Sequence, residues 1–140
     1  METTEPDAST SLRWNMLKQR CPTRQVLDRV ADRWTMLVIT SLSAVQPLRF
    51  SVLRRRIEGV SQKMLTQTLR GLERDGLITR SVFPTVPVTV EYALTELGAS
   101  LADAVAGIRA WAYANMDAIE QARSDYDTDE HTPISTLNRH

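Results

Sequence analysis

Residues 59–77, GVSQKMLTQTLRGLERDGL, constrain this chain more than any other stretch. They hold a helix start, a two-sided middle and a helix stop. Ser61 suits an N-cap, because its hydroxyl can accept an otherwise unpaired N–H of the first turn. Val60 and Leu65 stand at the spacing of a hydrophobic staple. Gly76 suits the left-handed residue that closes a helix, with Leu77 folding back on the last turn. At about 100° per residue, Leu65, Leu69 and Leu72 fall on one side. Lys63, Thr66, Gln67, Arg70 and Arg74 fall on the other. These side chains read base edges and clamp phosphates when a helix lies in a DNA groove. Taken alone, the same pattern also fits a solvated amphipathic helix, so the neighbouring segments decide.

Upstream, SVLRRRI reads as a short helix with Phe50, Leu53 and Ile57 buried and Arg54, Arg55 and Arg56 pointing outward or sideways. It is opened by a loop, Pro47-Leu48-Arg49-Phe50, and ended by Gly59. Two short helices so closely joined form a helix-turn-helix, whose second helix enters the major groove. Before them, Cys21-Pro22 is a helix entry, followed by Val26, Leu27, Val30, Ala31 and Trp34 at helical spacing. Thr35 to Ala44, apolar on nearly every side, belongs in the core. Leu12 to Arg20 reads as a short helix with Leu12, Met16 and Trp14 on its apolar side.

Downstream, LITRSVFPTVPVTVEYAL reads as two strands around a proline-bounded tip. Val88, Val90, Tyr92 and Leu94 alternate with Thr89, Glu91 and Ala93, the period of a half-buried strand. A hairpin in this place is a wing. Thr95 then caps a long helix, with Glu96 at its positive end. Leu97, Leu101, Ala104, Val105, Ile108, Trp111, Ala112 and Ile119 form one stripe along it, more apolar length than a small domain covers alone and so a subunit interface. The expected fold is mainly α with a small β-hairpin (α+β), a winged helix-turn-helix whose terminal helices form a dimer interface. Residues 1–11 are expected as a disordered leader and 12–122 as the domain, with dimerisation helices at 12–20 and 95–122. Residues 123–140 are expected as an acidic disordered tail.

Charge supports this reading. The 140 residues carry no formal net charge, yet residues 11–80 hold 14 Lys+Arg against 5 Asp+Glu, and the remainder hold 3 against 12. A basic module with an acidic counterpart suits a polyanionic partner. With one cysteine and two histidines, an internal disulfide is excluded and a zinc site is short of ligands. No apolar run approaches the ~20 residues of a membrane span. The leading residues are no secretory signal, so the expected compartment is the cytoplasm. The folded region has no histidine, no Gly-rich phosphate loop and no paired carboxylates in an apolar setting, so neither an enzyme nor a cofactor is expected.

Taken together, CPTRQVLDRVADRWTMLVI, LRFSVLRRRIEGVSQKMLTQTLRGLERDGLITR and FPTVPVTVEYALTELGASL resemble the HxlR-type regulators, bacterial winged helix-turn-helix proteins related to the MarR group. The likeness covers about Cys21 to Trp111. It implies a homodimer, joined through terminal helices, that binds a near-palindromic double-stranded DNA operator and usually represses transcription. By position, Ser61, Gln62, Lys63, Thr66, Gln67 and Arg70 come nearest the bases. Arg49, Arg74, Arg80 and the wing threonines Thr85 and Thr89 complete the DNA-facing set. Leu12, Met16, Leu101, Val105, Ile108, Trp111, Ala112 and Ile119 form the dimer set. Relatives commonly carry a basic wing residue where this chain has Thr89, which reduces the expected phosphate attraction of the wing.

Cys21 occupies the position of a redox- or electrophile-sensing thiol in several such proteins. At a helix N-terminus between Arg20 and Arg24, its thiolate should be favoured. An inert cysteine acting as a small hydrophobe is the competing reading. The effector is then either an electrophile acting at Cys21 or a small molecule bound near Trp14, Trp34 and Trp111. The alternative function is a winged helix used for protein–protein contact, whose mark would be an apolar face on the second helix.

Overall fold

The computed structural model describes residues 14–129. They form two units, residues up to Asp103 and residues from Ala104 onward.

The first unit opens with turns rather than the expected helix over residues 14–20. Met16 and Leu17 are exposed there, so this short segment buries too little to hold a helix against its entropy. Leu12 and the expected leader lie outside the described residues. Helix α1 (Pro22–Ala31) has Pro22 at its start. It ends one residue before Asp32, whose carboxylate accepts the Thr35 N–H at 3.1 Å and caps helix α2 (Arg33–Ala44). The helical spacing expected from Cys21 to Trp34 is therefore interrupted by a cap. Helix α2 carries the centre of the core, with Val38, Ile39 and Leu42 fully covered.

Leu48 and Arg49, expected as loop, form a two-residue strand β1 paired antiparallel with β3, Leu48 opposite Tyr92 and Arg49 opposite Glu91. Two residues carry no periodicity, and this strand exists because β3 offers it a free edge. Helix α3 (Phe50–Arg56) follows directly. Gly59, at φ +90°, makes the turn to helix α4 (Gln62–Arg74), a backbone conformation that side chains disfavour. Strands β2 (Ile78–Phe83) and β3 (Thr89–Leu94) form the hairpin, in register from Ile78↔Leu94 to Phe83↔Thr89. The sheet has the order β1-β3-β2. Leu53, Ile57, Leu65, Leu69, Leu72 and Ile78 complete the core under α2.

Helix α5 runs from Glu96 to Asp129. Thr95 caps it, its hydroxyl accepting the Gly98 N–H at 3.0 Å and donating to the Gly76 carbonyl at 2.7 Å. Gly98 lies so close to the Leu77 carbonyl that a Cβ would collide with backbone. The second unit is the rest of this helix. At 34 residues the whole element is about 51 Å long at ~1.5 Å per residue. It passes the expected end at Ala122, because Gln121–Asp125 and Thr128–Ser124 hydrogen bonds at four-residue spacing support it locally. No helix among the described residues is long and apolar enough to cross a membrane.

Candidate nucleic-acid interface

The second helix of the pair is fixed from both ends. Ser61 Oγ accepts the Met64 N–H at 3.0 Å. At the other end Gly76 takes φ +76°, its N–H donates to the Glu73 carbonyl at 3.0 Å, and the Leu77 N–H donates to the Leu72 carbonyl at 2.9 Å. That pair of bonds is a Schellman closure. Leu65, Thr68, Leu69 and Leu72 hold the inner face down. A contact that the sequence does not reveal adds to this. Gly71 leaves room for the Arg29 guanidinium of α1, which pairs with Asp75 at 3.0 Å. That pair ties α1 to the helix end.

On the outer face, Gln62, Lys63, Gln67, Arg70 and Arg74 are exposed and Thr66 is half-buried. None of these cations has an ion-pair partner among the described residues. They form one polar, basic surface, not an apolar one. Ser61 is exposed, but its hydroxyl is occupied in capping. Arg49 reaches toward Glu91 at 3.9 Å, too far for a strong bond. Arg80 pairs with Glu73 at 3.3 Å, so it stands bridged to the last turn of α4.

The wing is uncharged from Ser81 to Val90. Its threonine hydroxyls fold the tip: Thr85 Oγ1 donates to the Pro87 carbonyl at 2.7 Å and lies 2.9 Å from Thr89 Oγ1. Val82, Phe83, Val86 and Val88 are exposed around them, Val86 completely.

Two groups of residues outside the expected set belong to this surface. Arg54 and Arg55, in the last turn of α3, share a groove with Phe50, Ser51 and Gln62, the first residue of α4. Their run of three arginines was the signal. The second group lies on the other flank of α4, where Tyr92 stands at 9% exposure in a groove with Arg70, Glu73 and Arg80. Burial raises the Tyr92 phenol, Arg80 and Arg70 lower it and Glu73 raises it further, the net effect being upward. A tyrosine in a strand gives no such hint in sequence.

Cys21 is buried at 7% exposure just before α1. Burial pushes its thiol up, yet the backbone N–H groups of Arg24, Thr23 and Asn15, joined by the Thr23 hydroxyl, hold it below the ordinary thiol value. The Asn15 N–H lies 3.1 Å from Sγ. The helix end, not the flanking arginine charges, does this; the Arg24 guanidinium donates instead to the Leu17 carbonyl at 3.3 Å. Among the described residues, no group of histidine, cysteine and acidic side chains could hold a metal ion.

Of the dimer set, Met16, Ile108 and Trp111 are exposed, and Leu101, Ala112 and Ile119 are half-buried. Val105 is buried, at 1% exposure. Trp34 is half-buried, with the Arg33 guanidinium 4.8 Å over its ring.

A two-helix motif, a basic outer face on its second helix and a hairpin beside it define a winged helix-turn-helix DNA-binding regulator. The family model described as HxlR-like helix-turn-helix matches residues 29–120. The chain is 41% identical to the HTH-type transcriptional regulator YtfH of Escherichia coli K12 over 79% of its own length and 87% of that protein's. The solved structure of the regulator YtfH from Salmonella typhimurium covers 79% of this chain and 98% of its own at 41% identity, with a TM-score of 0.75. The redox regulator HypR in its oxidized form superposes with a TM-score of 0.62 at 36% identity, covering 68% and 97% of the two chains. The protein belongs to the HxlR-like helix-turn-helix family of transcriptional regulators.

Proposed function

We propose that the chain acts in the cytoplasm as a homodimer on a near-palindromic operator and represses transcription from it. The exposed row Lys63, Gln67, Arg70 and Arg74 on a helix capped at both ends carries this reading. Lys63 and Arg74 supply phosphate attraction, while Gln67 and Arg70 have the paired donors and acceptors that choose bases. Arg54 and Arg55 add a phosphate contact at the start of α4. The wing contributes uncharged contacts, because its hydroxyls are committed to its own tip. The exposed part of the α5 stripe, with Ile108 and Trp111, joins the two copies. A protein-docking role would call for an apolar outer face on α4, and that face is polar.

The deciding experiment is selection of a duplex from a random pool, followed by Gln67→Ala and Arg70→Ala. Each should reduce discrimination of the selected site by about 1–3 kcal/mol, the worth of a paired base contact, while the oligomeric state stays unchanged. Equal affinity of the native chain for all duplexes would refute the reading.

For the effector, the lowered thiol of Cys21 supports electrophile sensing, and HypR, a redox regulator, shares the fold. An oxidised Cys21 can join only a partner copy's thiol or a small thiol, since the chain has no second cysteine. Cys21→Ser should keep duplex affinity and lose any release by diamide. Diamide release that persists in Cys21→Ser would remove the thiol from the mechanism.

A further inference from the structure

The tip of the β2–β3 hairpin has a composition that phosphate contact does not explain. From Ser81 to Val90 it carries no charge, and the cation at its base, Arg80, is engaged by Glu73 at 3.3 Å. Its hydrogen-bond donors are few. Pro84 and Pro87 have no N–H, and the Thr85 N–H goes to the Phe83 carbonyl at 2.8 Å. The Thr85 and Thr89 hydroxyls are used within the tip. What the tip offers instead is apolar surface: Val82, Phe83 and Val88 are exposed, and Val86, at the apex, is completely so. The prolines and these internal bonds fix its shape before any partner arrives, so contact orders little that was free. Exposed apolar side chains gathered in one place mark a contact surface. This hairpin belongs to the same unit as α4 and is bridged to its last turn through Arg80 and Glu73. A duplex seated on α4 therefore has the hairpin as its neighbour.

We propose that the tip is an apolar wedge: Val86, with Phe83 and Val88 on either side of it in the loop, enters the minor groove beside the bases that α4 reads and parts one base step there. Apolar side chains inserted from the minor groove partly unstack a step and bend the duplex. The partner is a flexible pyrimidine–purine step, TA or CA/TG, which costs least to open. Contact with sugars and base faces releases no counterions, so the wedge adds affinity that salt does not screen. It also selects sequence at a position that no polar side chain touches. The inference rests on the reading above, in which α4 lies in a duplex groove.

The test uses the full chain and a duplex selected from a random pool, with 2-aminopurine replacing the adenine of each pyrimidine–purine step in turn. Binding should raise its fluorescence several-fold at one step in each half-site, where the base loses its stacking, and nowhere else. Val86→Ser alters a completely exposed position and leaves the fold intact. It should abolish that rise and weaken binding about tenfold, with the slope of log K against log salt unchanged. Replacing the opened TA step by AA should weaken the native chain several-fold and leave Val86→Ser unaffected. A native chain that selects a duplex yet leaves every 2-aminopurine dark overturns the wedge, as does Val86→Ser binding as tightly as the native chain. Val86→Ser that binds normally but no longer represses purified RNA polymerase assigns the tip to an apolar protein surface, which also overturns it. A native chain that enriches no duplex refutes the DNA reading on which the wedge rests.

Discussion

At the scale of single residues, Cys21 and Gly98 lead to separate measurements. The Cys21 thiol is held low by N–H donors at the start of α1. Its folded pKa is depressed, so the thiolate's stabilising effect is fully present above the unfolded value of ~8.5 and is lost as pH falls through the folded one. Iodoacetamide labelling against pH should therefore have its midpoint below that of a cysteine in an unstructured peptide. Labelling should also be slower than the thiolate fraction implies, because Cys21 is 7% exposed and reagent must wait for the turns at 14–20 to open. A midpoint at or above the peptide's would remove the N–H explanation. Gly98 is constrained by packing. A Cβ there meets the Leu77 carbonyl, which is backbone and cannot swing aside. Gly98→Ala should lose about 1–3 kcal/mol in a denaturant titration despite alanine's better helix propensity. A variant as stable as the native chain would mean that α5 can shift at its first turn. The sequence pointed to Cys21 through its Pro22 neighbour and missed Gly98, whose constraint comes from Leu77, 21 residues earlier in the chain.

At the scale of elements, α3 and α4 divide the work. On the proposed reading, helix α4 supplies the side chains that choose bases, and α3 ends in arginines that hold phosphate. Arg54→Gln and Arg55→Gln should lower affinity by similar factors for operator and random duplex. Removing one arginine–phosphate pair should reduce the slope of log K against log salt by about 0.9. A loss confined to the operator would move these arginines from phosphate to bases. Most of the local structure of this helix pair was legible before any coordinates. Caps, glycine stops and 3.6-residue periodicity are local signals, and Ser61, Gly76 and Thr95 hold the places expected of them. Strand β1 and the cap at Asp32 were not legible. One depends on the edge of β3, and the other lies inside an apolar run whose periodicity hides it. The roles expected of Thr85 and Thr89 needed the hydroxyl geometry of the wing tip.

At the scale of the whole molecule, the question is how α5 is covered. A 34-residue helix with Ile108 and Trp111 exposed leaves apolar surface open to water, and a second copy is the simplest cover. Sedimentation should give a dimer, and Trp111→Asp should yield a monomer with strongly reduced operator affinity, since two half-sites about 34–36 Å apart then no longer bind together. A native monomer with full affinity would refute the dimer. What the sequence determined alone is what short-range chemistry decides: where helices start and stop, which face of α4 is leucine and which is basic, and hence the family. Only the tertiary structure decided which polar groups remain free. Arg80 is engaged by Glu73 and the wing threonines by each other, while Arg70 has no ion-pair partner among the described residues. Pairing depends on distances between segments far apart in the chain, and no local pattern of residues encodes those distances.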